Sequence, residues 1–423
     1  MRRRRSSTSV ASSSIRTSFA ARSFPWKPFD DGSGPAGESG AAGPGGLGGS
    51  ETGGDAMPKW LRTFALPIAV MGIVCAACSS SNTAGNGSPS ASCTSQIKVG
   101  LALDVGGLGD KGFNDLAYAG MNQAISNGIV CQGNTKYIEA NSEGSNLDQE
   151  IQSLAAGGYD VIIGTGFAFS PYVNELATQY PKIDFGVIDG YATCGSACGE
   201  TNPISAIPNV VDLTFKEQEG SFLVGVAAAL KAKDLGCTTV GFLGGQTGPL
   251  IGKFEAGYTA GVAQIDPSIK VLVEYIGDST KAFNDPIQGE ALSNKMYDEG
   301  ACIIYHAAGD SGNGLFKAAA AQQKIAIGVD SDQYKVVTPD EAKWILTSMI
   351  KRVDVATYDT IKAVADGSFK GGTDRVFDLA STGISYSTSN TALMTQDIIN
   401  TVNKYKEKIL NGDIVPPSSP KGA

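Results

Sequence analysis

The sequence predicts an α/β protein of two lobes, each built on a doubly wound parallel sheet, joined by a hinge. Short apolar runs alternate with helical stretches over residues 97–410, which is typical of buried parallel strands and their crossover helices. The alternation occurs twice, and the second set of strands begins near Cys237. Because open α/β sheets bind ligands beyond the carboxyl ends of their strands, we expect a ligand cleft between the lobes.

The predicted strands are short and mostly apolar on consecutive positions, and helical stretches connect them. We predict strands at residues 97–103, 136–139, 161–164, 185–188, 240–243, 271–275, 302–305, 325–328 and 345–349. Predicted helices occupy residues 113–126, 147–156, 171–179, 215–233, 250–265, 286–298, 314–323, 353–366 and 391–410. We assign residues 95–213 and 350–372 to lobe 1, residues 214–349 and 373–412 to lobe 2, and residues 413–423 to a tail.

The N-terminal 56 residues do not have the composition of a folded domain. Four arginines precede a Ser/Thr-rich stretch and then a Gly-rich stretch, which cannot bury enough apolar surface to offset chain entropy. Signal peptides begin near the true N-terminus of a protein. We therefore expect residues 1–56 to be either a disordered extension or an over-extended reading frame before Met57.

Residues 57–77 have the pattern of an export signal. Lys59 and Arg62 precede an apolar run over residues 64–77, and small residues end that run. About 14 apolar residues are fewer than the roughly 20 that cross a bilayer as a helix. The segment therefore predicts secretion rather than a permanent transmembrane anchor.

Cys78 follows the export signal at a position that resembles a bacterial lipobox, where the cysteine after the cleavage point receives lipid. Cys75 departs from that pattern because leucine is usual there. We expect lipidation at Cys78, with an ordinary cleaved signal as the alternative. A polar tether over residues 78–94 would then lead to the folded lobes.

The net charge of the chain is negative. It has 33 Lys and Arg against 42 Asp and Glu; residues 1–77 hold 9 and 5 of these, so the mature chain has 24 against 37. A net charge of about −13 disfavours binding to nucleic-acid phosphates, which requires clustered basic residues. We therefore expect no nucleic-acid partner.

Six cysteines lie downstream of the lipobox, an even number that permits three disulfides in an exported chain. Sequence alone leaves 15 connectivities open. Two pairs stand near the starts of strands that we expect to be neighbours, at a spacing that a disulfide can bridge. The third pair is close enough in the chain to close its own loop. The predicted disulfides are Cys93–Cys131, Cys194–Cys198 and Cys237–Cys302.

The sequence provides little support for metal-dependent or nucleophilic catalysis. His306 is the only histidine, which argues against His-based metal sites and Ser-His catalysis. Cys194 and Cys198 have no second cysteine or histidine pair beside them for zinc. We expect no metal, no cofactor and no catalytic residue.

Residues 107–112 match GxGxxG between a predicted strand and a helix, so a dinucleotide site must be considered. Glu139 at the end of the next strand completes that pattern. However, Asp104 and Asp110 place two carboxylates where a pyrophosphate would lie, and they repel it. An exported location also disfavours a dinucleotide enzyme, so we prefer another role for this loop.

Eight segments in the same order resemble the basic membrane protein family, which comprises lipid-anchored substrate-binding proteins of ABC importers and includes purine nucleoside receptors. The resemblance covers about residues 96–388, and Gly112 departs from it because the family often has serine there. It implies a type I periplasmic-binding-protein-like fold, a membrane permease as partner, and a monomer at the extracytoplasmic face of the cell membrane. The segments are DVGGLGDKGFND, GTGFAFSPYVNELATQYPKIDFGVID, FKEQEGSFLVGVAAAL, VGFLGG, FEAGYTAGV, HAAGDSGNG, IGVDSDQ and TSMIKRVDVATYD.

A nucleoside presents a flat base and ribose hydroxyls, so its site needs an aromatic ring, amides or carboxylates, and a charged group. In lobe 1 we expect Phe113 and Asn114, at a helix start beside Asp104, to supply the ring and the amide. Asp189 follows a buried strand and can accept hydrogen bonds from the base. The alternative for Phe113 and Asn114 is packing and capping at the start of the helix. The alternative for Asp189 is a turn formed with Gly190.

In lobe 2 we expect Gly309 and the other glycines of HAAGDSGNG to let the backbone approach the ribose closely. By resemblance, Asp330 accepts hydrogen bonds from ribose hydroxyls and Lys351 donates to them. An interlobe salt bridge is the alternative for that pair, and the start of a helix is the alternative for the glycines. Phe283 and Phe167 are weaker aromatic candidates that loop packing would also explain.

The sequence favours a non-enzymatic receptor that closes on a nucleoside by hinge motion and delivers it to a permease. Within the same class, the ligand could be another small polar solute such as a sugar or a signalling molecule. The alternative of another class is an exported nucleoside-processing enzyme, which needs a metal-activated or base-activated water.

Overall fold

The computed structural model describes residues 93–192 and 207–421. Residues 1–56, the predicted signal at 57–77, Cys78, most of the tether and the pair Cys194–Cys198 lie outside this range. Within the described part of the chain, no helix combines the length and apolar character needed to cross a membrane.

Twelve strands and ten helices occur within the described residues. The strands are β1 Val99–Leu103, β2 Thr135–Glu139, β3 Val161–Thr165, β4 Asp184–Ile188, β5 Val210–Phe215, β6 Thr239–Gln246, β7 Lys270–Gly277, β8 Ile303–Ala307, β9 Ile325–Asp330, β10 Ile345–Lys351, β11 Thr373–Phe377 and β12 Ile384–Tyr386. The helices are α1 Phe113–Ser126, α2 Leu147–Ala156, α3 Ser170–Gln179, α4 Glu217–Asp234, α5 Pro249–Ile265, α6 Pro286–Asp298, α7 Gly312–Gln322, α8 Pro339–Ala342, α9 Val353–Ala365 and α10 Gln396–Leu410.

The strands form two six-stranded sheets with the same winding. The first sheet has the order β11-β5-β4-β3-β1-β2 and the second β12-β10-β9-β8-β6-β7. All neighbouring strands are parallel except β12, which is antiparallel to β10. β1 and β6, the first strands of the two lobes, lie in the interior of their sheets, so later strands are added on both sides of each. The predicted fold class of two doubly wound lobes is therefore confirmed.

The chain crosses between the two sheets after β5, after β10 and between β11 and β12. The sequence predicts that residues 373–412 belong to lobe 2, but β11 pairs with β5 in the first sheet. This edge strand has the sequence TDRVF and is largely exposed, so it lacks the apolar run that marks the buried strands. Its position depends on backbone pairing that the hydrophobic pattern does not report.

Helices α4 and α5 pack so closely that their backbones touch. A Cβ atom at Gly225 would collide with the carbonyl oxygen of Tyr258, and one at Gly261 would collide with that of Phe222. Glycine is therefore required at these contacts. The contact fixes α5, whose first turn lies at the ligand cavity.

Two of the predicted cysteine pairs are disulfides. Cys93 and Cys131 precede the adjacent strands β1 and β2, with Cα atoms 5.2 Å apart. Cys237 and Cys302 precede β6 and β8, which are also adjacent, with Cα atoms 6.5 Å apart. Both separations lie in the range that disulfides span, so strand adjacency explains both pairs.

Peptide mapping of the exported protein without reduction is expected to recover both of these linkages, and a third between Cys194 and Cys198. Breaking either long-range linkage by a Cys-to-Ala pair should lower the free energy of unfolding by about 2 to 4 kcal/mol, because the unfolded chain regains conformational freedom. Free thiols at residues 93, 131, 237 and 302 would contradict the pairing.

Candidate ligand-binding site

A cavity lies between the lobes at the carboxyl ends of both sheets, where ligands of open α/β sheets bind. It contains about 530 Å³ of empty space, part of which is open to solvent. Most of its wall is apolar, with a few carboxyl and amide groups. The lining residues are Asp104, Val105, Asp110, Phe113, Asn114, Gly166, Phe167, Asp189, Leu250, Ile251, Phe254, Phe283, Ala307 and Gly309.

Four phenylalanines from both lobes form the aromatic walls of the cavity. Phe113 and Phe167 belong to lobe 1, whereas Phe254 and Phe283 belong to lobe 2. The rings of Phe167 and Phe283 meet edge to face, with centroids 6.4 Å apart. Phe283 packs over Gly245, where any Cβ atom would collide with the ring. The cavity therefore offers flat apolar faces from opposite sides.

The loop between β1 and α1 is held by its own carboxylates. Asp110 caps α1 by accepting hydrogen bonds from the N–H groups of Gly112 at 2.9 Å and Asn114 at 2.8 Å. The Asn114 side chain accepts from the Asp104 N–H at 2.9 Å and donates to Asp110 at 3.1 Å. These contacts of Asn114 fit the capping alternative. They still leave one of its two amide N–H donors for a ligand.

Three further backbone amides of the glycine loop donate to carboxylates. Asp115 accepts from the N–H groups of Gly109 and Lys111, and Glu139 accepts from that of Leu108. A pyrophosphate cradle would need these donors to face the ligand. The GxGxxG match therefore describes a turn stabilised by carboxylates, in agreement with the electrostatic argument from the sequence.

Lys351 ends β10 and is 1% exposed beneath the cavity. Its ammonium donates to Asp189 Oδ2 and lies 3.6 Å from Glu217 Oε1. It also lies 5.0 Å from the ring centroid of Phe113 and 5.4 Å from that of Phe254. Burial lowers the pKa of Lys351, but the adjacent carboxylates outweigh this effect and raise the pKa above its usual value. Lys351 is therefore a buried cation that connects both lobes.

Asp189 and Asp330 each leave one carboxylate oxygen without a hydrogen-bond partner among the described residues, and both oxygens are buried. Burial raises the pKa of Asp330 to about 7, against the opposing effect of Lys351. The pKa of Asp189 rises to about 6 for the same reason. Unpaired buried acceptors are costly, so these oxygens are suited to accept hydrogen bonds from a ligand.

Asp104 is a third buried carboxyl at the cavity. Its Oδ1 accepts the Val105 N–H at 2.7 Å, and Gly166 allows its other oxygen to approach closely because a Cβ there would collide with it. Burial raises the pKa of Asp104 to about 7, with further increases from Asp189 and Asp110. Three carboxyl groups, those of Asp104, Asp110 and Asp189, therefore face an otherwise mostly apolar cavity.

The structure separates the predicted site residues into two groups. Asp330 and Lys351 do not line the cavity; Asp330 lies beside Gly112, where a Cβ atom would be 3.6 Å from its Oδ2. Lys351 lies near the rings of Phe113 and Phe254 and makes an interlobe ion pair, but with Asp189 and not with Asp330 as in the alternative that we considered. The predicted residues that line the cavity are Asp104, Phe113, Asn114, Phe167, Asp189, Phe283 and Gly309.

Of the three glycines in the HAAGDSGNG segment, only Gly309 lines the cavity, together with Ala307. We expected the other glycines to approach the ribose, but they have packing roles. A Cβ at Gly312 would collide with the His306 ring, and one at Gly314 would collide with the carbonyl oxygen of Pro286. His306 is buried, which lowers its pKa to about 4, so it is neutral at pH 7.

Leu250, Ile251 and Phe254 were not predicted as site residues. They lie in the first turn and a half of α5, which starts directly after β6. Their apolar spacing is indistinguishable from that of a core-facing helix. The sequence could have indicated these residues, because the predicted helix starts at the carboxyl end of a lobe 2 strand, where ligands bind. Among the described residues, no group of three or more His, Cys, Asp or Glu is placed to hold a metal ion.

Two doubly wound lobes around an apolar cavity with a few polar groups define a solute-binding protein of the periplasmic type. The Bmp family, described as ABC transporter substrate-binding protein PnrA-like, matches residues 97–419. The chain therefore belongs to this family and is the substrate-binding component of an ABC transporter, with a small-molecule ligand and a permease partner. The resemblance stated from the sequence is confirmed, and so is the expectation that the protein is not an enzyme.

Individual relatives cover nearly the whole of the folded region. The chain is 34% identical over 379 residues to the CD4+ T-cell-stimulating antigen of Listeria innocua, covering 85% of this chain and 99% of the relative. It is 30% identical over 359 residues to the ABC transporter nucleoside-binding protein BmpA of Lactococcus lactis, covering 82% and 95%. A solved solute-binding protein of an ABC transporter from Aeropyrum pernix has a TM-score of 0.64 at 26% identity, covering 76% and 94%.

Proposed function

We propose that this protein binds a nucleoside, in particular a purine nucleoside, in the interlobe cavity and delivers it to the permease of an ABC importer. The observation that carries the proposal is the combination of aromatic walls from both lobes with buried carboxylate oxygens that have no donor among the described residues. A planar base fits between aromatic faces, and ribose hydroxyls supply the missing donors.

The charge of the cavity supports a neutral ligand. Asp104, Asp189 and Asp330 are buried together, and the ammonium of Lys351 already pairs with Asp189 and Glu217. A 5′-phosphate would meet this acidic lining without a free cation beside it among the groups described here, so nucleotides are disfavoured. The relative BmpA, named as nucleoside-binding, gives independent support for this ligand class.

Calorimetric titration with purine and pyrimidine nucleosides tests the proposal directly. In an unfolding experiment, a nucleoside at 100 times its dissociation constant should stabilise the fold by about 2.7 kcal/mol. Three control ligands separate the features of the nucleoside. The free base lacks the ribose, ribose lacks the base, and the nucleoside 5′-monophosphate adds a phosphate. Binding of a sugar or another polar solute in preference to every nucleoside would contradict the proposal and favour the alternative ligand class.

Phe113→Ala is expected to weaken nucleoside binding by about 1 to 3 kcal/mol, because the base loses one stacking face. The ring is partly exposed at the cavity and Lys351 contacts it from below, so the fold should persist. Calorimetry compares this variant with Tyr137→Ala, which removes an exposed ring from the edge strand β2. Equal affinities for the wild type and Phe113→Ala would remove the ring from the site.

We also propose that the protein is anchored at the extracytoplasmic face of the membrane by lipid on Cys78. The lipobox-like sequence supports this anchor, as does the 32% identity over 324 residues to an uncharacterized lipoprotein of Pyrococcus abyssi, covering 74% of each chain. Labelled palmitate should enter the wild type and not Cys78→Ser, which should leave the membrane fraction. Equal labelling of Cys78→Ser would exclude this cysteine, and Cys75→Ser is the matched control.

A further inference from the structure

Lys111 connects the two lobes at the rim of the cavity. It belongs to the β1–α1 loop of lobe 1, and its ammonium donates to Asn313 Oδ1 at 3.1 Å. Its carbonyl oxygen accepts from Ser331 Oγ at 2.5 Å and from Gln333 Nε2 at 3.4 Å. All three partners belong to lobe 2, on α7 and after β9. One residue thus makes three interlobe hydrogen bonds through its side chain and its backbone.

The backbone of Lys111 is held in a conformation that side-chain-bearing residues rarely adopt. Its φ is 57°, in the left-handed region, which costs roughly 1 to 2 kcal/mol for a residue with a Cβ. Its N–H donates to Asp115 Oδ2 at 3.0 Å, which anchors the loop to α1. This geometry directs the carbonyl oxygen toward lobe 2, and glycine would adopt it without strain but would lack the ammonium.

The lobe 2 partners are oriented by other contacts. Asn313 Nδ2 donates to Asp310 Oδ1 at 2.7 Å, so its amide oxygen faces Lys111. Gln333 Oε1 accepts the Val329 N–H at 2.8 Å and lies 2.9 Å from His306 Nε2, so its amide nitrogen faces the Lys111 carbonyl. Lobe 2 therefore presents a preformed receptor for Lys111, and forming the contact costs little side-chain entropy.

Other interlobe contacts are less suited to control closure. Lys281 and Glu143 form an ion pair at 2.9 Å, but their side chains are 55% and 58% exposed, and such pairs contribute little. Lys351 lies where the chain crosses between the lobes, so hinge opening moves it least. Hinge opening would break the hydrogen bonds of Lys111.

We propose that Lys111 is a positioning residue that latches the lobes together and thereby sets the residence time of the bound ligand. Lys111 does not line the cavity, but it is two residues from Phe113, which does. It therefore acts through the position of the rim and the stacking ring, without a contact to the ligand. The latch concerns lobe closure and does not depend on which solute is bound.

Stopped-flow kinetics on the full chain with a fluorescent nucleoside tests the latch. Lys111→Met keeps the aliphatic stem but loses the ammonium, and ligand dissociation should accelerate about tenfold because a charge-assisted hydrogen bond is lost. The association rate should change less than about twofold. Ser331→Ala should also accelerate dissociation, whereas Lys111→Arg should dissociate at nearly the wild-type rate. Lys281→Met is the matched control and should keep wild-type rates.

X-ray scattering of the empty chain tests the same latch without a nucleoside. The radius of gyration should increase in Lys111→Met and in Ser331→Ala, because fewer contacts hold the lobes together. Unchanged dissociation rates in both variants would overturn the latch. If no nucleoside binds, the proposed ligand fails, and identical scattering of the wild type and both variants would then refute the latch separately.

Discussion

Replacement of Lys351 by alanine is expected to lower the free energy of unfolding by about 3 to 5 kcal/mol, the usual result of removing one partner from a buried ion pair. Asp189 and Glu217 would be left buried without their shared cation. The rings of Phe113 and Phe254 would also lose a contact that holds them at the cavity. Nucleoside binding should therefore weaken together with stability.

Urea unfolding measures this loss, and Lys343→Ala is the matched control. Lys343 pairs with Asp340 at 2.7 Å, but the two side chains are 65% and 86% exposed, so its removal should cost less than about 1 kcal/mol. The loss in Lys351→Ala should be smaller at pH 5 than at pH 8. Asp189 already has a pKa raised to about 6, and without Lys351 it would be protonated at the lower pH. A loss equal to that of the control would contradict the buried ion pair.

Asp330 lies beside Gly112, outside the cavity lining, and we propose that its unpartnered oxygen accepts hydrogen bonds from ribose hydroxyls when a nucleoside is bound. On that proposal, Asp330→Asn is expected to weaken nucleoside binding by about 1.5 to 3 kcal/mol, because a carboxylate acceptor is replaced by a neutral amide. Asparagine is the suitable substitution since Asp330 has a φ of 64°, which Asn tolerates better than Ala does. The free base has no ribose, so its affinity should change much less. Calorimetry with both ligands measures the difference, and equal losses for both would indicate a structural role.

The same substitution should have the opposite effect on the stability of the empty chain. The pKa of Asp330 is about 7 in the folded state and near 3.8 when unfolded, so the folded state binds its proton more tightly. This contribution is fully present below about pH 4 and is lost as the pH rises through 7. Asp330→Asn should therefore be more stable than the wild type at pH 8 and show no such gain at pH 4. Asp340→Asn, at an exposed position, should show neither effect.

Most of the fold was predictable because its strands are buried on both faces. Helices α1, α2 and α6 begin and end at the predicted residues, and the interior strands other than β5 were found as apolar runs. The buried strand β5 was not predicted, because Asp212 and Thr214 interrupt its apolar run. The edge strands β11 and β12 were not predicted as strands. They are short and partly exposed, and they form by pairing with strands far away in the chain, which a local pattern does not report.

The aromatic and carboxyl residues that directly follow strands were predicted for a topological reason. Parallel strands end at the same edge of a sheet, so Asp104, Asp189 and Gly309 had to lie near one another once the fold was inferred. Phe254 was missed because its apolar spacing in α5 also fits a core-facing helix. The sequence could not distinguish these two orientations of the same apolar face.

The sequence by itself determined the two-lobed α/β fold, the family and the residues at the strand ends, and it predicts an export signal. Those features depend on local hydrophobic patterns and on motifs that are contiguous in the chain. Only the tertiary structure decided that Lys351 is a buried interlobe cation, that Asp330 lies beside Gly112 with a buried, unpartnered oxygen and that Lys111 joins the lobes. Each of these depends on groups 160 or more residues apart, or on burial and charge that arise only when the two sheets are packed together.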